Sequence, residues 1–219
     1  MGNKETTLIL QDEKLPKGEA KNQEEYQPHL DVFHNKNNMT MLCHPQWSNT
    51  PARYFEKLKG NFAMEVFNGA AAMDNDMDHN AAYWDEMLGQ DIKIWGVASD
   101  DAHRYEHFGQ GWVMVNSENN TAAILDALKN GRFYSSCGPE IYDFYVDGSV
   151  AHIKCSEASS VSFIDDRHTG KRFNGVGITE KEFDLATLAP KPGTYKYIRA
   201  CVIDKNGKRA WTNPIFFNE

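Results

Sequence analysis

The chain has no apolar run approaching the roughly 20 residues needed to cross a bilayer, and its opening residues lack the apolar core of a secretory signal. No membrane association is expected, and the sequence reads as that of a cytoplasmic protein. Clustered basic residues are also missing. With 23 Lys and Arg against 31 Asp and Glu, the formal charge is −8, so the attraction to backbone phosphates that drives nucleic-acid binding has no basis and no nucleic acid is expected as a partner. There is no CxxC pair. Cys43, Cys137, Cys155 and Cys201 are scattered, and three of them lie in apolar runs where a free thiol acts as a small core residue, a usage that fits a reducing compartment. Cys137, in the turn-like Ser135-Ser136-Cys137-Gly138-Pro139, leaves both a structural and a reactive thiol open.

What remains is a globular composition, 41% hydrophobic and 12% aromatic over 219 residues, enough for one large or two small cores. Residues 1–22 are polar and read as a loose lead-in. Helical spacing of Tyr26, Leu30 and Phe33 predicts a helix from Glu24 to about Asn35, and Met39 to Cys43 reads as a strand ended by His44-Pro45. Thr50-Pro51 predicts a helix start running to about Lys59. Phe62 to Phe67 is the next strand, Asp78 to Leu88 a helix stopped by Gly89, and Ile92 to Ala98 a third strand. Strands alternating with helices imply a parallel sheet in an α/β fold. Trp112 to Val115 and a helix from Asn120 to Lys129 continue the pattern up to Gly138. Beyond it, short β runs with turn signals at Asp147-Gly148, Pro192-Gly193 and Asn206-Gly207 predict a small all-β sandwich.

In a parallel sheet all strands end on one face, so His44, Asn68 and the segment Ser99-Asp100-Asp101-Ala102-His103 are expected together there. Asp101 and His103, two apart, leave an extended backbone on the same side and can converge on a divalent cation; Asp-x-His also occurs in solvated turns. Glu65 reads as a satisfied inner carboxylate, because alternation points it away from Met64 and Val66. Asn68 is expected to hydrogen-bond a ligand or substrate. Arg104 either meets a phosphate or is an exposed structural arginine, and His107 is expected to face solvent. The acidic stretch Asp74 to Asp78, with His79, lacks the glycine and terminal glutamate of an EF-hand and reads as a solvated loop. Trp47 could line a pocket or simply pack. His152 and His168 carry no visible chemistry.

The His44-Pro45 strand end, Glu65-Val66-Phe67-Asn68-Gly69, Tyr83-Trp84-Asp85, the Ser99 to His103 cluster and Gly131-Arg132-Phe133-Tyr134-Ser135-Ser136 together resemble the PHP (polymerase and histidinol phosphatase) family, in its two-domain branch of metal-dependent phosphoesterases. Ala210-Trp211-Thr212-Asn213-Pro214 resembles the closing strand of the β module that follows the barrel in that branch. The resemblance implies a distorted, TIM-like β/α barrel over residues 1–138 and a β-sandwich over 139–219. It gives metal-ligand roles to His44, Asp101 and His103, and substrate-binding or supporting roles to Asn68, Asp100 and Arg104. The implied cofactors are divalent ions (Mn, Zn, Fe or Mg), and the implied substrate is a small phosphate ester hydrolysed by metal-activated water. No catalytic acid or base is assigned. The family's His-x-His pair, a further acidic residue, its Thr-Asp-His-like motif and its mid-barrel glutamate have no counterpart here; His29 and His34 stand five apart. The likeness therefore covers the second half of the barrel plus the β module, either a piece of a longer protein or a shortened homologue. An incomplete site with weakly bound or absent metal is expected. A non-catalytic binding or scaffold protein is the competing reading. A half-barrel would also expose a sheet edge, and a homo-oligomer is one way to cover it.

Overall fold

A computed structural model describes residues 23–78, 80–167, 170–187 and 195–217. The lead-in expected at 1–22, the turn at Pro192-Gly193, and His79 and His168 lie outside the described residues. Helix α1 (Gln23–His34) feeds β1 (Thr40–Leu42), which pairs in parallel with β2 (Asn61–Asn68), itself parallel to β3 (Trp95–Ser99). The register sets Leu42 beside Met64 and Asn68 beside Ser99, so the chain leaves all three strands on one rim, as the sequence predicts.

Two connections differ from expectation. The helix predicted from Thr50 to Lys59 is a single 3₁₀ turn, Ala52–Tyr54. The Thr50 hydroxyl bonds the Ser48 carbonyl instead of capping, and only Ala52 is buried, so little packing offsets the cost of nucleating a helix. After β2 the chain turns directly into α2 (Gly69–Asn75), whose N-terminus is capped by the Asn68 side chain accepting from the Ala71 N–H at 2.8 Å. A Cβ on Gly69 would stand 2.5 Å from the Gln110 Cβ, so glycine is what lets α2 begin this close to the strand ends. Helix α3 (Ala81–Gly89) then buries Trp84, Met87 and Leu88.

The expectation that strands stay parallel up to Gly138 is corrected. Strands β4 (Trp112–Val115) and β5 (Phe133–Ser136), joined by α4 (Thr121–Lys129), pair antiparallel and open an eight-stranded antiparallel sheet. A strand-helix-strand pattern does not fix direction; the partner does, and β10 (Arg209–Thr212) offers β5 an antiparallel ladder on its other side. The remaining strands are β6 (Ile141–Asp147), β7 (Val150–Asp165), β8 (Arg172–Asp184), β9 (Tyr197–Ile203) and β11 (Ile215–Phe216). They do not form two facing sheets. One 16-residue strand, β7, replaces the two expected at 152–155 and 161–164; β8 runs along one of its edges while β6 and β9 share the other, giving one curled, open sheet. The hairpin expected at Asn206-Gly207 joins β9 to β10, with Gly207 at φ +81°.

The parallel sheet is buried on both faces. Leu42, Met64 and Val66 pack with Trp84, Met87 and Leu88 of α3 and with Tyr197, Cys201 and Trp211 of the antiparallel sheet, while Ala63 and Val97 pack on the other face with Leu128 of α4 and Phe133. A buried ion pair fastens α3 to β9: Arg199, over the Trp84 ring, donates from Nε and Nη2 to Asp85 at 2.7 and 2.6 Å, and the Tyr197 hydroxyl bonds the same carboxylate. The outer edge of β3 meets side chains rather than a ladder. Gly96 N–H donates to Asn213 Oδ1 (2.9 Å), and the Asn213 amide donates to the Gly131 and Phe133 carbonyls. The Ser135 hydroxyl donates to the Gly96 carbonyl and accepts from the Ala98 N–H, both at 2.8 Å. This outer edge of β3 is therefore covered from within the chain.

Candidate functional site

Beneath the rim lies Glu65, on the face of β2 opposite Met64 and Val66 and only 2% exposed. Its Oε2 accepts from the His44 N–H (2.7 Å) and from the Asn68 side-chain amide (3.0 Å), and its Oε1 accepts from the Ser99 hydroxyl (2.5 Å). One inner carboxylate thus ties the ends of β1, β2 and β3 together, which is the satisfied role its alternation predicts. Asn68 passes the arrangement outward: the same amide nitrogen donates to Asp101 Oδ2 at 3.1 Å. Fully buried, Asn68 caps α2 and orients Asp101, the supporting one of the two roles the sequence leaves it.

His44, Asp101 and His103 line one cavity of about 320 Å³, together with Trp47, Ala70, Ala71, Asp74 and Asn75. His44 Nδ1 bonds the Ser48 hydroxyl at 2.8 Å, so its Nε2 is the atom left for a ligand, and Trp47 packs edge-on against the ring at 5.1 Å. Two of these residues sit in left-handed backbone, His44 at φ +29° and Asp101 at φ +48°. Left-handed conformation costs a non-glycine residue about 1–2 kcal/mol; these two bear it on one cavity, as Asn37, Asn49, Asp76 and Asp91 do elsewhere. Cys43 is exposed, yet partial desolvation by the surrounding rim and the nearby Glu65 and Asp101 carboxylates push its thiol up to about 11, which keeps it neutral. Cys137 is buried, its sulfur accepting the Arg209 N–H and its pKa raised by burial, which makes it structural.

Asp100 proves to be a loop anchor. Its carboxylate accepts from the N–H groups of Gly109, Gln110 and Gly111 at 2.9, 2.7 and 2.9 Å, and its carbonyl accepts from Ala70. Burial opposes its charge, but those three donors and nearby His107 outweigh it and hold the carboxyl below the usual range. Arg104 is half exposed and bound to Asp74, with no free guanidinium aimed at the cavity. His107 corrects the expectation of solvent exposure: a 3₁₀ turn, Tyr105–His107, folds it back until it is 1% exposed. Asp74, at the end of α2, is a wall residue that the sequence reading placed in a solvated loop. Its carboxyl is also held low: burial raises it, but the hydrogen bond and charge of Arg104 and the neighbouring His107 prevail.

Imidazole nitrogens and a carboxylate are suitable donors for a divalent transition ion, and His44, Asp101 and His103 all border the cavity. They border it without converging: among the described residues, no three His, Cys, Asp or Glu side chains stand close enough to hold a metal ion. A second, larger groove of about 700 Å³ lies on the antiparallel sheet between β5, β6 and the Gly131 turn and contains none of the expected site residues. No helix among the described residues is long and apolar enough to cross a membrane.

Residues 90–133, from the approach to β3 through the start of β5, match a family model described as PHP-associated. The match takes in Asp100, Asp101 and His103 and gives this stretch a family-level link to PHP-type phosphoesterases. Comparison with curated proteins and with solved structures finds no match.

Proposed function

We propose that this chain carries part of a PHP-type metal-dependent phosphoesterase centre, with His44, Asp101 and His103 as its metal ligands and a small phosphate ester as its substrate. The observation that carries the proposal is that these three residues line one cavity at the rim of the parallel strands, two of them in left-handed backbone. A bound divalent ion would polarise a phosphoryl oxygen and lower the pKa of a bound water toward ~7. The chain's own groups do the positioning. Ser48 leaves His44 Nε2 as the ligand atom, Asn68 leaves Asp101 Oδ1 free, and Glu65 keeps both strand ends in register. Capture of an ion requires the three side chains to turn inward across the cavity they line. Arg104, at the loop next to His103, is the group offered to the substrate's phosphate once Asp74 releases it.

The test is titration of the protein with Mn²⁺ or Zn²⁺ by calorimetry, together with hydrolysis of an aryl phosphate, for the wild type, His44→Ala, Asp101→Asn and His103→Ala. With three ligands in this chain, weak binding and turnover near background are expected, both abolished by each substitution. Binding that persists in all three variants refutes the assignment. Robust turnover by the wild type, lost in His103→Ala, refutes the incompleteness of the site. A second reading, a binding protein without catalysis, is favoured by the failure of the donors to converge. It predicts no metal-dependent hydrolysis at any ion concentration.

A further inference from the structure

The groove of about 700 Å³ on the antiparallel sheet runs along an unpaired strand edge. Strand β6 ends the strand order and, among the described residues, pairs only with β7. Side chains alternate along a strand, so Glu140, Ile141, Tyr142, Asp143 and Phe144 can line one groove in succession only where it follows the edge. The Ile141 N–H bears this out: it faces the hydroxyl of Tyr134, another residue of the groove wall. Seven residues at about 3.3 Å each make an edge roughly 23 Å long. One alternate set of its N–H and C=O groups serves β7, and the other faces outward.

Exposed edges are ordinarily blunted by lysine, proline or a bulge. Strand β8, on the far side of β7, has such devices in Arg172, Lys181 and a register break around Gly175-Val176-Gly177. From Asp143 to Asp147, β6 keeps a continuous register and contains neither lysine nor proline. What it carries is negative charge. Asp143, Tyr145 and Asp147 are exposed on one face, while Phe144 and Val146 on the other pack partly against the core. Neither aspartate, nor Glu140 beside them, forms an ion pair among the described residues, and Arg132 on the groove wall is held by Asp126. A second copy laid antiparallel on this edge about residue 143 or 145 would set carboxylate directly against carboxylate, which is unfavourable.

We propose that the β6 edge and its groove are a docking site for an extended basic segment of another protein, which adds as a strand beside β6. The ladder supplies affinity and the alternation of β6 selects the sequence. Residues set opposite Asp143 and Asp147 are lysine or arginine, and those opposite Phe144 and Val146 are apolar.

The experiment uses the full chain and a fluorescein-labelled peptide, Val-Lys-Val-Lys-Val-Lys-Val, followed by fluorescence anisotropy. It is compared with its counterpart carrying Glu for Lys and with two forms N-methylated on either the valines or the lysines. N-methylation removes backbone donors and leaves the charge unchanged. One methylated form should therefore bind at least about tenfold more weakly, while the other, whose methyl groups point away from β6, stays within about threefold. The glutamate peptide should not bind. The double variant Asp143→Asn with Asp147→Asn, checked for folding by circular dichroism, should weaken the lysine peptide about 3–10-fold. Amide ¹H–¹⁵N spectra should confine the shifts to residues 140–147 and the groove wall. No binding of the lysine peptide, equal losses from the two methylated forms, a glutamate peptide that binds as well, or shifts centred away from β6 overturns the proposal. So does sedimentation showing a dimer that the peptide does not displace, which would make the occupant a second copy. The methylated pair needs no variant, so the proposal stays open to refutation if the asparagine variant does not fold.

Discussion

Replacing Glu65 should separate the work of its charge from the work of its three hydrogen bonds. In Glu65→Leu the His44 N–H, the Asn68 amide and the Ser99 hydroxyl lose their common acceptor. Each stranded buried donor costs about 1–3 kcal/mol, and Ser99, half-buried, can turn toward water, so the loss should total about 3–5 kcal/mol. Glu65→Gln keeps the shape. Its oxygen still serves His44 and Asn68 while Ser99 turns to accept from the new NH₂, so only charge assistance is lost, about 1–3 kcal/mol. For a domain of this length each kcal/mol moves Tm by about 2–4 °C, which places Glu65→Leu about 6–20 °C below wild type and Glu65→Gln between the two. Urea unfolding followed by far-ultraviolet circular dichroism gives the free energies, and amide exchange at His44 gives the local effect, expected to rise sharply only in the leucine variant. A leucine variant within 1 kcal/mol of wild type, or no less stable than the glutamine variant, would refute the view of Glu65 as the tie beneath the rim.

Asp85→Ala strips a buried guanidinium of its partner and should cost about 3–5 kcal/mol, whereas the double change Asp85→Leu with Arg199→Met should restore most of it, as a thermal-melt double-mutant cycle would reveal. Asn213→Ala leaves the Gly96 N–H and two carbonyls unmet and should cost about 1–3 kcal/mol, with increased exchange at Gly96 as the local sign. Alkylation of Cys43 by iodoacetamide at pH 8 should run about 100-fold slower than for a thiol at the reference value of 9.0, because a pKa near 11 keeps it protonated. The rate should climb tenfold per pH unit until it approaches pH 11 and should be faster in Asp101→Asn; a plateau near pH 9 would contradict the partial desolvation and the two carboxylates held responsible.

The elements that the sequence makes legible are those with a local cause. Strand β4 falls on Trp112–Val115 as predicted, α4 starts after the Asn120 cap, and the Asn206-Gly207 hairpin joins β9 to β10, because period, cap and turn chemistry act over a few residues. The parallel rim was legible from the same alternation, and with it the company of His44, Asn68 and Asp101. What was not legible depends on distant partners. The direction of β5 is decided by β10, some seventy residues later, and the union of two expected strands into β7 by the neighbours that share its edges. Asp74 and His107 were missed for a related reason: a polar stretch and a lone histidine carry no periodic signal, and only the fold-back of the Tyr105–His107 turn onto α2 gives them a role.

The side-chain seam along β3 also has a schedule. Gly96 and Asn213 are 117 residues apart, and at a synthesis rate of about 5–20 residues per second the rim, its cavity and the apolar strand beneath them exist for roughly 6–23 s before Asn213, the last of the side chains that close their edge, has been made. Until Ser135 is made the edge of β3 is open beside a finished parallel pair, and from then until Asn213 its Gly96 N–H still lacks a partner, which is the geometry that recruits strands from neighbouring nascent chains. Slowing translation between residues 136 and 209 should therefore raise the aggregated fraction in vivo without altering the stability of the chains that mature.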